Sequence, residues 1–162
     1  MPVRPGSRRV HLETSSDGRR QGVVVTVTKK TKMIANGVRA RVVRDFRDGG
    51  LVDRAGSFEA GVDGAQAGIA MPADPVPGPS YRQEFHAGEA EDRAAVITVG
   101  EEQVEAPFGH FAEDVLMTRD LVPTEPEVQE LKFYAPGVGQ LLAVHTDGPG
   151  ERAGLISPTP GG

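Results

Sequence analysis

Residues Gly22–Lys30 read GVVVTVTKK, and residues Val38–Phe46 read VRARVVRDF. Six β-branched residues in a row, Val23–Thr28, lose rotamer freedom in a helix but pack well on a pleated surface, so the first stretch is a strand. Asn36-Gly37 stands between the two stretches, and both residue types tolerate the positive φ of a tight hairpin turn. In the second stretch Val38, Ala40 and Val42 fall on one face of an extended chain. Two such runs joined by such a turn set the class as all-β with antiparallel pairing.

The pattern continues outward in both directions. Arg8–Thr14 alternates, with Val10 and Leu12 as its apolar face and Arg9, His11 and Glu13 opposite. Ser15-Ser16-Asp17-Gly18 and Asp48-Gly49-Gly50 are turns. Residues 53–79 are rich in Gly, Ala and Pro and predict a long surface loop. Strands resume at Ser80–His86, Arg93–Val99 and Gln103–Ala106. Pro107-Phe108-Gly109 turns into His110–Leu121, where Phe111–Met117 is the one stretch with helical character. Val128–Ala135 and Val138–His145 follow, joined by Pro136-Gly137. The last residues, 148–162, hold eight Gly or Pro and predict a disordered tail. The expectation is therefore a single β-sheet domain over residues 1–147, an antiparallel meander forming a curved sheet or open barrel.

Bulk composition agrees with many short strands. Gly (21) and Pro (13) make up about a fifth of the 162 residues. The net charge of −5 hides an asymmetry: residues 1–47 hold 12 of the 18 Lys and Arg against three acids, and the remainder is strongly acidic. Basic strands beside acidic strands of one sheet account for this simply, because opposite charges pair across strands. No helix-turn-helix, RNA-binding motif or Gly-rich phosphate loop is present, so the sequence assigns no nucleic-acid partner. The absence of Cys excludes disulfides and thiolate metal sites. No apolar run is long enough for a transmembrane segment. The opening Met-Pro-Val-Arg-Pro-Gly lacks the apolar core of a signal peptide, which predicts a cytoplasmic chain as written.

Several segments, taken together, resemble a family of bacterial exported or lipid-anchored β domains that has no assigned chemistry. They are residues 56–65 (GSFEAGVDGA), Met71-Pro72-Ala73, Tyr81–Phe85, Gly88–Asp92, Ala106–Phe111 and Phe133–Gly139, with Pro2–Ser7 similar to the family's entry into its first strand. The last of the longer motifs is also similar to envelope proteins built like lipoprotein-carrier half-barrels. The resemblance implies an exported or cell-envelope location. It also implies that an aromatic-rich pair of strands is missing here between Val52 and Gly56, making this chain a shortened variant.

Histidine is the one residue type here suited to acid–base or metal chemistry near neutral pH. Glu84 and His86 lie two apart on a strand and share a face. His110 closes a turn, and His145 ends a strand just before Asp147. If the strand ends meet at one rim, His86, His110, His145 and Glu84 could hold Zn²⁺ or another divalent metal such as Mn²⁺. Against this, there is no His-x-x-x-His or His-Glu-x-x-His spacing. No serine sits in a Gly-x-Ser-x-Gly elbow. Glu59, Asp63 and Asp74 lack the spacing of a calcium loop, and Glu89–Asp92 reads as a solvated acidic turn.

Two functional readings follow. The first is a non-catalytic envelope-type domain that holds a small apolar ligand or a protein partner in the concave face of its sheet. The second is a small metal-dependent hydrolase acting on phosphate or carboxylic esters. Unpaired edges near Val38–Phe46 and Ser80–His86, one basic and one acidic, further predict a homodimer closed by edge pairing.

Overall fold

The computed structural model describes residues 4–35, 37–47, 50–51, 60–148 and 150–162. The described residues form twelve strands and no helix: β1 (Arg8–Thr14), β2 (Arg20–Met33), β3 (Arg39–Arg47), β4 (Gly50–Leu51), β5 (Tyr81–His86), β6 (Ala90–Val99), β7 (Val104–Ala106), β8 (Gly109–Phe111), β9 (Leu116–Leu121), β10 (Gln129–Ala135), β11 (Gly139–His145) and β12 (Arg152–Thr159). Ten of them make one sheet in the order β4-β3-β2-β1-β12-β11-β10-β9-β6-β5, and β7-β8 form a separate hairpin. Every pairing in the sheet is antiparallel. The sheet is curved and does not close into a barrel, as the strand pattern predicts.

The chain enters and leaves at the middle of this sheet. One arm runs outward from β1 to β4, and the other from β11 through β5. The two meet through β12, which pairs with β1 on one side and β11 on the other. Residues 152–159 are thus a central strand, which corrects the expectation of a disordered tail. The Gly and Pro count of the tail obscured the strand RAGLISPT, in which Gly154 and Leu155 are both buried and Leu155 completely so.

Directly opposed residues on neighbouring strands share a face, so the registers identify which side is inner. Arg9, His11 and Glu13 oppose Val25, Val23 and Gln21. Across the other arm, Ala143 opposes Lys132, Lys132 opposes Thr118, and Val96 opposes Thr118. This side carries the buried residues Val23, Val27, Arg9, His11, Ala143, Thr118, Ala94 and Val96. The face of β1 expected to be solvated is therefore its buried one.

The polar choice at Arg9 and His11 has a backbone cause. β11 pairs with β12 only over Leu142–Val144, and the two strands part before Gln140. Carbonyls at the start of β11 and just before it need donors, since buried unpaired backbone groups are costly. Arg9 Nε donates to Val138 O at 2.6 Å, and His11 Nε2 lies 3.2 Å from Gln140 O. Their side chains replace the missing ladder rungs. Gly139 makes room: its φ is +98°, and a Cβ there would stand 2.6 Å from Arg9 Nε.

The β7–β8 hairpin closes the same region from the other side. Phe108 N–H donates to Leu155 O at 2.8 Å, and Pro107 packs so closely on Gly154 that a Cβ would meet its Cδ at 2.8 Å. Beneath the hairpin lies the apolar core of Val104, Ala106, Val115, Ala135, Leu141 and Leu155, with Phe111, Phe133, Val138 and Leu142 against it. Phe111–Met117 contributes strand ends and a turn at Asp114 (φ +53°) rather than a helix.

Charge is distributed differently from the sequence expectation. The basic strands β2 and β3 pair with each other at one end of the sheet, and β5 and β6, which carry Glu84, Glu91 and Asp92 alongside Arg82 and Arg93, lie at the opposite end. The basic strands are not neighbours of these carboxylates. The acidic edge is also taken: Gln66 N–H donates to Phe85 O and Ile69 N–H to Arg82 O, both along the outer side of β5. The described part of the long loop, residues 60–79, is thus partly strapped to β5. This removes the acidic edge from the edge-paired homodimer inferred from sequence. The strand pair expected to be missing between Val52 and Gly56 lies outside the described residues.

Candidate functional site

The residues proposed as metal ligands do not converge. His86 ends β5, where its Nε2 meets Asp63 O at 2.8 Å and ties the Asp63 turn (φ +49°) to the sheet. His110 sits on the hairpin, paired across it with Glu105 at 3.0 Å and exposed. His145 lies on the inner face opposite Glu130, at 3.8 Å, with Asp147 at 3.7 Å. Glu84 is on β5 opposite Asp92. Each histidine has a local carboxylate or carbonyl neighbour of its own. Among the described residues no three His, Asp or Glu side chains are grouped to hold a metal ion.

What the sheet does build is a row of charge across its inner face. Lys132 Nζ bonds Asp120 Oδ2 and reaches Glu130 Oε2 at 2.9 Å. Burial works against this ammonium, but Glu130 and Asp120 outweigh it and hold its pKa above the ordinary lysine value. Burial raises the Asp120 carboxyl in spite of Lys132, and Asp120 Oδ1 is buried without a hydrogen-bond partner among the described residues. Burial likewise pushes the Tyr134 phenol up to about 12. Along the other arm Glu13 accepts from Gln21 at 2.6 Å and from Arg47 at 3.0 Å. These residues hold one another, and none presents a nucleophile beside a base.

The inner face is flanked by two cavities of similar size. One, about 840 Å³, lies at the end where Glu13, Arg47, Glu130, His145, Glu151 and Arg152 meet, and its walls are charged with both signs. The other, about 850 Å³, lies at the opposite end, at the turn between β10 and β11. Its walls are mainly apolar: Met71, Pro72, Val99, Leu116, Val138 and Pro158, with Tyr134 among them and Arg4 and Arg9 on one side. Tyr81 helps place the wall from the long loop, its hydroxyl standing 4.0 Å from Met71 Sδ.

Sequence reading missed this second cavity although its pieces were in view. Met71-Pro72-Ala73 and Pro136-Gly137-Val138 carry no side chain with acid–base or ligand chemistry. A search for chemistry therefore passes over them. Only the topology, which brings residues 71–75, 134–139 and 158–161 to one rim, shows them as a single lining.

No protein-family model and no curated protein matches this chain. Two solved structures are similar to it. One is a protein from Bacteroides fragilis NCTC 9343, inferred to be exported and described as having a YmcC-like fold. It is 16% identical, with 98% of each chain covered and a TM-score of 0.46. The other is a protein from Parabacteroides distasonis ATCC 8503, inferred to be a lipoprotein. It is 12% identical over 98% of this chain and 97% of that one, with a TM-score of 0.44.

Proposed function

We propose that this chain is a non-catalytic, envelope-type binding domain that holds a small apolar ligand, or the apolar side chains of a protein partner, at the β10–β11 rim of its inner face. The observation that carries this reading is the cavity of about 850 Å³ between Met71, Val99, Leu116 and Val138. Its size suits a small organic molecule, and mainly apolar walls with a few polar groups are what such sites use. The dispersal of His86, His110 and His145 supports binding over metal-dependent hydrolysis. The sequence resemblance to exported β domains supports the envelope setting.

The neutral fluorophore N-phenyl-1-naphthylamine tests the reading. The parent chain should take it up saturably, with enhanced and blue-shifted emission. Val99→Trp fills the cavity from a residue that is 42% exposed, so the fold should tolerate it. This variant should weaken uptake by about tenfold or more, since steric exclusion from a desolvated pocket costs more than 1.4 kcal/mol. No saturable uptake by the parent, or equal uptake by the variant, defeats the proposal.

A further inference from the structure

Strands β2 and β3 extend beyond the sheet. Among the described residues, β1 pairs with β2 only from Arg20 to Thr26, and the ladder of β4 touches only Phe46 and Arg47. Among the described residues, Thr31, Lys32 and Met33 pair only with Arg41, Ala40 and Arg39, and the two segments form a two-stranded ribbon that leaves the sheet. Its base is a fixed bend. The register shifts between Val27 and Thr31, Thr28 Oγ1 donates to Val42 O at 2.8 Å, and Arg41 Nη1 donates to Lys29 O at 3.1 Å. A bulge of this kind re-aims the strands that follow it.

The ribbon has an apolar tip and a basic collar. Met33 is 57% exposed and Val38 is 54% exposed. They flank the turn in which Ile34 N–H donates to Val38 O, with Gly37 at φ +81°. Behind them stand Lys29, Lys30, Lys32, Arg39 and Arg41. From Gly18 to Arg44 the sequence has eight Lys or Arg and no Asp or Glu. No ion pair between described residues engages Lys29, Lys30, Arg39, Arg41 or Arg44.

We infer that the ribbon is a docking element for an anionic lipid surface. A solvated basic strand has no use for two large apolar side chains at its tip. A membrane interface accepts both parts at once: Met33 and Val38 enter the boundary of the acyl region, and the collar meets the headgroup charge. A nucleic acid fits less well, because the ribbon offers no aromatic side chain for a base to stack on. The ribbon lies apart from the β10–β11 cavity, and the inference does not depend on what that cavity holds.

Flotation with vesicles tests it. The full chain should float with vesicles of 30% phosphatidylglycerol in phosphatidylcholine at 0.1 M NaCl and stay behind with pure phosphatidylcholine. Raising NaCl to 0.5 M should weaken the association by about tenfold or more, as charge screening requires. The variant K30E/R39E should lose about as much at 0.1 M NaCl while keeping the parent's circular dichroism and melting temperature. A tryptophan at the tip, Val38→Trp, should shift its emission to the blue only with the anionic vesicles. Failure of the parent to float with phosphatidylglycerol vesicles, or salt-independent flotation, overturns the inference. Binding to a DNA duplex without binding to vesicles does the same.

Discussion

At the scale of single residues, His11 links backbone geometry to pH. Its Nε2–H must donate to Gln140 O in the gap between β11 and β12, and burial lowers its pKa below the usual 6.5. The unfolded chain then binds a proton that the folded chain resists. The contribution of neutral His11 is full above pH 6.5 and is lost as pH falls through that value towards the lowered folded pKa. Gln places an amide N–H near the same point without titrating, so His11→Gln should remain folded. The stability of the parent relative to this variant should fall between pH 7 and 5. Burial raises the pKa of Asp92 and Asp120, which acts in the opposite sense, but both proteins share these groups and the difference cancels them. His11→Ala, which strands the Gln140 carbonyl, should cost about 1–3 kcal/mol at pH 7. Chemical denaturation across pH measures both, and a parent-minus-Gln difference that stays flat would refute the donor role. Sequence patterning could not have placed His11 inside. The rule that apolar residues face the core assumes a continuous ladder, and here a local parting of strands reverses it.

At the scale of elements, most of the sheet was legible and its junction was not. β-branched runs and Gly-containing turns located β1, β2, β3, β5, β10 and β11 to within a few residues. β12 was hidden because Gly154, Pro158, Pro160 and Gly161 look like solvent-exposed chain. In fact Gly154 admits Pro107, and a Cβ at Gly161 would stand 2.4 Å from Pro5 O. The candidate site was missed for a related reason, since long-range neighbours rather than local motifs define its walls. Among the described residues, β12 is also the only strand that joins the two arms. A chain ending at Asp147 leaves β1 and β11 without their shared partner and strips Leu155 from the core under the hairpin. Such a chain should show no cooperative thermal transition, rather than a melting temperature lowered by a few degrees. A far-UV spectrum and melt close to those of the full chain would mean that the arms associate without β12.

At the scale of the whole molecule, an open sheet has two edges, and this one protects them by different means. Along β5 the backbone is already engaged by Gln66 and Ile69. Along β3 the protection is charge: Arg39, Arg41 and Arg44 are all exposed, and among the described residues β4 pairs with only the last two residues of the strand. Cationic side chains on an exposed edge discourage pairing with another chain. A β3-to-β3 contact between copies brings arginines together, and the complementary acidic edge is no longer available to them. In the absence of lipid the chain should therefore scatter light as a monomer of 17.2 kDa at 50 mM NaCl and micromolar concentration. Because the protection is electrostatic, Arg41→Thr with Arg44→Thr should allow self-association at the same salt, with little change in the fold of so exposed a strand. Salt should move the parent in the same direction, since the screening length shortens from about 10 Å at 0.1 M to about 3 Å at 1 M. A parent that is already dimeric at 50 mM NaCl, or a double variant that stays monomeric at every salt concentration, would show that charge is not what guards this edge.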